Sequence, residues 1–240
     1  MNLFVSDLNL FNTDLENLPD SKLLINTINA HSFNTAQIDK LFCEAIRNSD
    51  ILLPDGISIV LATRFIYGRK LKKIAGSELF FYEMNRLNKK GGKCFFLGSN
   101  TKNLKLIVER AKIEFPNVIA YSFSPSFNKE FSIEENKQIL TMINSSKPDV
   151  LFIGMSAPKQ EKWAYQHFNE LDVNHICSIG AVFDYYSRRI NRAPESIIKI
   201  GLEWLHRLIK EPRRLWHRYL IGNAKFIYLI LKEKLLKNIN

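Results

Sequence analysis

Four short stretches place polar side chains where an apolar run ends, and each could carry chemistry. In "ILLPDGISIVLATRF", residues 51–65, Asp55 and Gly56 separate three apolar residues and a proline from a helix that is apolar nearly all round. A carboxylate at that point can cap the helix or act as a general base on a sugar hydroxyl. In "DVLFIGMSAPKQEKW", residues 149–163, Asp149 to Met155 reads as a buried central strand, Ser156 as a helix cap and Pro158 as a first-turn proline. Lys159, Gln160 and Glu161 then fall in the first turn, beside N–H groups and a dipole end that suit a phosphate or diphosphate. An ordinary helix start with solvated polar residues has the same pattern. In "INTINAHSFNTAQ", Thr27 and Asn29 close a strand and can present a hydroxyl and an amide to the same ligand. In "FFLGSNTKN", Gly98 opens a phosphate-friendly turn, but the GxGxxG spacing is absent, which disfavours a nicotinamide-dinucleotide enzyme.

The elements that must position these residues are legible as apolar runs. "KLLINTIN", "KCFFLGS", "NVIAYSF", "DVLFIGM" and "HICSIGAVF" read as strands, most of them separated by helical patterns such as "NLKLIVERAKIEF" and "IEENKQILTMINSS". Strands this continuously apolar are covered on both faces. The expected fold is therefore α/β, a Rossmann-like, mainly parallel sheet with helices on both faces. Ligands of such sheets bind beyond the carboxyl ends of the strands, where all four stretches end.

At 240 residues the chain is long enough for one large domain and a small appendage. The composition changes near Arg188 to Pro194, and the expected division is a core over 1–190 and a basic, amphipathic helical appendage over 191–240. From Arg188 onward there are 13 Lys and Arg against 4 Asp and Glu, a net +9; the preceding 187 residues hold 21 against 20, a net +1. The tail also carries Trp204, Leu205, Leu208, Leu215, Trp216, Tyr219 and Leu220 at helical spacing, with the lysine-punctuated run "KFIYLILKEKLLK" after Gly222. A basic, aromatic, amphipathic helix can lie on an anionic membrane or pack on the core. No groove-reading motif accompanies it, so nucleic acid is not expected as a partner. The run "ISIVLATRFIY" suits a core helix or a homo-oligomer interface. Cys43, Cys94 and Cys177 lie apart among apolar neighbours and read as packed thiols of a reducing compartment. The N-terminus has no basic, apolar leader and no run is long enough to span a bilayer, which points to a cytoplasmic location. No metal and no cofactor are expected.

Taken in order, "LPDGISIVLATRF", "AGSELF", "FFLGS", "PDVLFIGMSAPKQEKW", "IGAVFDYYSRRINRAPE" and "GLEWLHRLIKEPRRLWHRYLIGN" resemble the WecG/TagA/CpsF family of bacterial glycosyltransferases over roughly Leu23 to Phe226. The resemblance implies inverting transfer of N-acetylmannosamine, its uronic acid or a related hexose. The donor is a UDP-sugar and the acceptor an undecaprenyl-diphosphate-linked saccharide at the inner face of the cytoplasmic membrane, in cell-surface polysaccharide synthesis. It makes Asp55 the catalytic base and gives Gln160 and Thr27 catalytic roles. It matches Asn29 to a strand-end site residue and Arg207, Arg213, Arg214 and Arg218 to arginines that bind phosphate or the lipid diphosphate; Asn29, Gly98, Lys159, Glu161, Asp184 and Arg192 are the expected substrate-binding residues. No DxD motif is present to hold a divalent metal, so arginines and helix N-termini must stabilise the leaving diphosphate. The family has glycine where this chain has Ser58, Ser156 and Ala181, and Ala-Gly near Ser187-Arg188; the added side chains would narrow a pocket and bear on the donor sugar. A non-catalytic membrane scaffold of a polysaccharide complex is the other reading these replaced glycines allow.

Overall fold

The computed structural model describes residues 3–190, 192–199 and 201–239, and at Glu195, Lys199, Arg214 and Ile239 the backbone alone. Six parallel strands form one sheet: β1 (Leu23–Ile28), β2 (Ile51–Pro54), β3 (Lys93–Gly98), β4 (Ile119–Phe123), β5 (Val150–Gly154) and β6 (His175–Ser178). Their order is β2-β1-β6-β5-β3-β4, so the strand beginning at Val150 is central, as its composition requires. Alternate side chains of β3 and β5 enter two cores: Cys94, Phe96, Val150 and Phe152 on one face, Phe95, Leu97, Leu151 and Ile153 on the other.

Helices α4 (Gly76–Lys90), α5 (Thr101–Glu114) and α8 (Val182–Tyr186) cover the first face. Helices α6 (Ile133–Ser146) and α7 (Lys159–Gln166) cover the second at its β3–β5 half. At the β1–β2 half, α1 (Ala30–Ala36), α2 (Lys40–Arg47) and α3 (Ile57–Tyr67) build a third cluster with the N-terminal segment. Two details depart from the sequence reading. Ile51–Pro54 is an edge strand, too short and too close to a proline to declare itself, and β4 at the opposite edge is largely exposed rather than covered on both faces.

The tail forms α9 (Glu195–Lys199), α10 (Glu203–Lys210), α11 (Pro212–Trp216), a π-helical turn (His217–Ile221) and α12 (Gly222–Ile239). It does not stand apart. Phe226 and Ile230 of α12 bury against Phe33 and its neighbours in the third cluster. Glu233, 4% exposed, accepts hydrogen bonds from Val5 N (2.8 Å), Ser6 N (3.2 Å) and Tyr67 Oη (2.5 Å). Another face leaves Ile227, Leu231 and Leu235 exposed; Leu61 and Phe65 of α3 are exposed too, and Lys234 Nζ lies 5.7 Å from the centre of the Phe65 ring. The expected boundary falls on Asn191, outside the described residues. Among the described residues no helix is long and apolar enough to cross a membrane.

Candidate active site

A cleft of about 1410 Å³ opens at the carboxyl ends of the strands. Thr27, Asn29, Asp55, Gly98, Lys159, Gln160, Glu161, Asp184, Arg192, Arg207 and Arg218 all line it, although they come from five strand ends, their following helices and the tail. Arg213 is exposed outside the lining. The side chain of Arg214 lies outside the described residues.

Asp55 follows Pro54 directly, and its backbone N–H donates to Ile28 O and Leu53 O, both at 2.9 Å, which fixes it at the β1–β2 rim. The N-cap of α3 is Gly56, and no side chain caps that helix. The carboxyl is therefore not spent on capping, one of the two roles its position permitted. Burial pushes its pKa up to about 6; Glu203 adds to the rise, while Lys73 and Arg192 oppose it. Glu203 reaches the site because Gly201, at φ +78°, folds the tail onto Ile57; a Cβ there would meet the Ile57 side chain at 3.1 Å. Glu203 then pairs with Arg192 at 3.0 Å. Neither Glu203 nor its pairing was visible from spacing, since a bend of the chain creates it.

The other expected residues divide by what already holds them. Asn29 caps α1: its Oδ1 accepts from His31 N (3.0 Å) and Ser32 N (3.2 Å). Gly98, at φ +119°, is required by the backbone of Gly154, 2.6 Å from where a Cβ would stand, so its close approach is to β5. Helix α7 begins at Lys159 with Pro158 as its N-cap residue, so Ser156 is not the cap; the chain makes one more turn, with Lys159 N donating to Ser156 O at 3.0 Å. Lys159 Nζ is turned to Asn128 O (2.5 Å) and lies 3.4 Å from the centre of the Phe131 ring. Asp184 pairs with Arg189 at 2.7 Å.

Among the described residues, four cleft groups that are buried lack a hydrogen-bond partner: Ser77 Oγ, Gln160 Oε1, Glu161 Oε2 and Arg207 Nε. Buried polar atoms are rarely left so, and those that face the cleft are ones a polar ligand would satisfy. Arg207 otherwise lies on the ring of Tyr185, 5.6 Å from its centre. Ser77, in the first turn of α4, and His31 also line the cleft. Burial, aided by Arg218, lowers the pKa of His31 to about 4, so its imidazole is neutral at pH 7. Ser77 was legible only as part of "AGSELF", with no spacing to mark it. Among the described residues no three His, Cys, Asp or Glu side chains are grouped to hold a metal. All three cysteines are free and buried, as their surroundings imply.

Of the residues standing where the resembled family has glycine, Ser156 and Ala181 line the cleft and Ser58 does not. Arg188 adopts φ +59°, a left-handed conformation that costs a side-chain-bearing residue about 1 kcal/mol and that glycine adopts freely.

The family model for Glycosyl transferase WecG/TagA/CpsF matches residues 7–240. Similar proteins include one from Bacillus subtilis (strain 168), 28% identical over 211 residues that cover 88% of this chain and 80% of the relative. Another, from Staphylococcus aureus (strain MW2), is 26% identical over 226 residues, covering 92% and 85%. Both are named N-acetylglucosaminyldiphosphoundecaprenol N-acetyl-beta-D-mannosaminyltransferase.

Proposed function

Because the chain belongs to the glycosyl transferase WecG/TagA/CpsF family, we propose that it transfers N-acetylmannosamine or a closely related hexose from a UDP-sugar to N-acetylglucosaminyl-diphospho-undecaprenol. The observation that carries this reading is Asp55: a carboxyl at the strand-end rim of the cleft, uncapped, with raised proton affinity, in a cavity that arginines of the tail also line.

In the reaction, an acceptor hydroxyl oxygen attacks the anomeric carbon while its proton passes to Asp55. The bond from that carbon to the β-phosphate oxygen breaks, and UDP leaves with the electron pair. Attack opposite the leaving group inverts the anomeric centre. A pKa of about 6 keeps Asp55 largely ionised at pH 7 while raising its basicity above that of an ordinary aspartate. Arg207 and Arg218 carry permanent charge, and a guanidinium holds phosphate oxygens in bidentate fashion. With no carboxylate cluster grouped for a cation among the described residues, these arginines are assigned the leaving diphosphate, and the transfer is proposed to proceed without a metal. Thr27 and Gln160 orient the sugar and the acceptor.

The lipid-linked acceptor brings the enzyme to the inner face of the cytoplasmic membrane. The exposed stripe of Ile227, Leu231 and Leu235, with the exposed Leu61 and Phe65 of α3 and lysines along α12, supports peripheral docking on an anionic surface. Ile227→Glu with Leu231→Glu is expected to abolish sedimentation with anionic vesicles without shifting the melting temperature; undiminished sedimentation would remove the stripe from the docking surface. The activity itself is tested by measuring UDP release from a panel of UDP-sugars with a short-chain lipid diphosphate acceptor in EDTA. Release supports the transferase, and silence across the panel supports the scaffold reading.

A further inference from the structure

Neighbours on an α-helix point about 100° apart and seldom touch. At the start of α7, nonetheless, Gln160 Nε2 donates to Glu161 Oε1 at 2.9 Å. Gln160 is 3% exposed and Glu161 2% exposed, and both line the cleft. The bond leaves Gln160 Oε1 and Glu161 Oε2 without a partner among the described residues.

Among the described residues no cation pairs with Glu161. Lys159 is turned to Asn128 and Phe131, and Lys162 pairs with Asp39, the N-cap residue of α2, at 3.0 Å. Asp184 and Arg189, also on the cleft, pair with each other. Strand β1 has no charged residue, and β6 carries only His175, at its far end, and the buried thiol of Cys177. Burial accordingly pushes the Glu161 carboxyl up to about 7, against the hydrogen bond from Gln160.

We propose that Glu161 acts as a positioning residue, fixing the side-chain amide of Gln160 in one of two settings according to its own protonation. Ionised, it accepts from Nε2, the setting in the structure. After taking one proton from solvent, its O–H donates to Gln160 Oε1, and the amide turns over so that carbonyl and NH₂ exchange places. The group offered to a sugar hydroxyl or N-acetyl arm thereby changes from acceptor to donor. This assigns Glu161 an action through Gln160 rather than direct contact with substrate. The effect on turnover rests on the glycosyl-transfer reading; the amide setting does not.

The test follows the Gln160 side-chain amide resonances of the ¹⁵N-labelled full-length protein from about pH 5.5 to 8.5, a window centred on a carboxyl raised by burial. It is joined to kcat and KM for the wild type, E161Q, E161A, Q160A and the Q160A/E161A pair, each checked by its melting temperature. The resonances are expected to shift with a midpoint near the titration of Glu161 and to stay fixed in E161Q. E161A should lower kcat/KM by about tenfold or more, as loss of a hydrogen bond to a charged group does, yet add nothing in the Q160A background. E161Q, which keeps an acceptor and the fold, should retain more activity than E161A and lose the pH dependence of KM. Resonances that do not titrate, or an E161A effect that adds in full to that of Q160A, would overturn the proposal. A wild type that turns over no UDP-sugar would instead overturn the glycosyl-transfer reading, and the resonances would still decide the amide setting.

Discussion

The two ends of the sheet treat buried polar groups in opposite ways. At the amino ends of the strands the buried His175 and Glu83 both have partners, and so do the less buried charges around them. His175, 1% exposed, contacts Glu83 Oε1 at 2.7 Å through Nδ1 and Pro19 O at 3.0 Å through Nε2. Arg86 binds the other Glu83 oxygen at 2.8 Å and Asp20 at 3.0 Å. Asp50 takes the N–H of Leu24, and Asp149 takes that of Lys93 and the ammonium of Lys90. At the carboxyl ends, Ser77, Gln160, Glu161 and Arg207 each keep a buried atom without a partner among the described residues. The same sheet thus has one end closed by its own charges and one end whose hydrogen-bonding capacity is held for something else. Stability should reside at the first and turnover at the second.

The sharpest way to break that division is to exchange effects between the ends. Asp55→Asn is expected to cut kcat by about 10²- to 10⁴-fold, the usual loss for a general base. Its fold should not suffer. A carboxyl held near 6 in the folded chain, against an ordinary value of 3.8, binds more protons folded than unfolded between those values, so stability falls as pH rises through that window. Above pH 6 the asparagine variant should therefore melt no lower than the wild type. Glu83→Gln, at the other end, should cost about 3 kcal/mol in denaturant unfolding, because it leaves Arg86 half-buried without its carboxylate, while kcat stays unchanged. A large loss of turnover with intact stability in Glu83→Gln would erase the contrast.

Smaller effects sharpen it. Arg207→Lys keeps the charge but loses the planar fork, and should lower kcat/KM by about tenfold with little change in melting temperature. Glu203→Gln removes the negative charge that helps raise Asp55 and unties Arg192, which lowers it. Both changes should move the acid limb of the kcat/KM profile to lower pH, by less than about one unit.

Most of the sheet was legible in the sequence because the β1, β3, β5 and β6 runs are apolar on both faces, and a parallel sheet buried on both sides demands that. The edges were not. Ile51–Pro54 offers only four residues, and Ile119–Phe123 carries an apolar pattern on an exposed edge. Asp55 and Gln160 announced themselves by interrupting apolar runs at strand ends. Glu203 and Ser77 could not, because a turn at Gly201 and the start of α4 bring them to the cleft. The tail shows the limit most plainly: Glu233, flanked by lysines in a sequence that looks solvated, is buried and holds the N-terminal segment, whereas Leu231, two residues earlier, is exposed. Helical periodicity reveals two faces and leaves open which one the core takes.

The most direct measurement is the pH dependence of kcat/KM for UDP release. If the Asp55 carboxylate accepts the acceptor's proton, the rate measured in the E161Q background, where Glu161 no longer titrates, rises with pH through an acid limb near 6, and the residual activity of Asp55→Asn lacks that limb. A limb at an ordinary aspartate value, or one that survives unchanged in Asp55→Asn, would contradict the account.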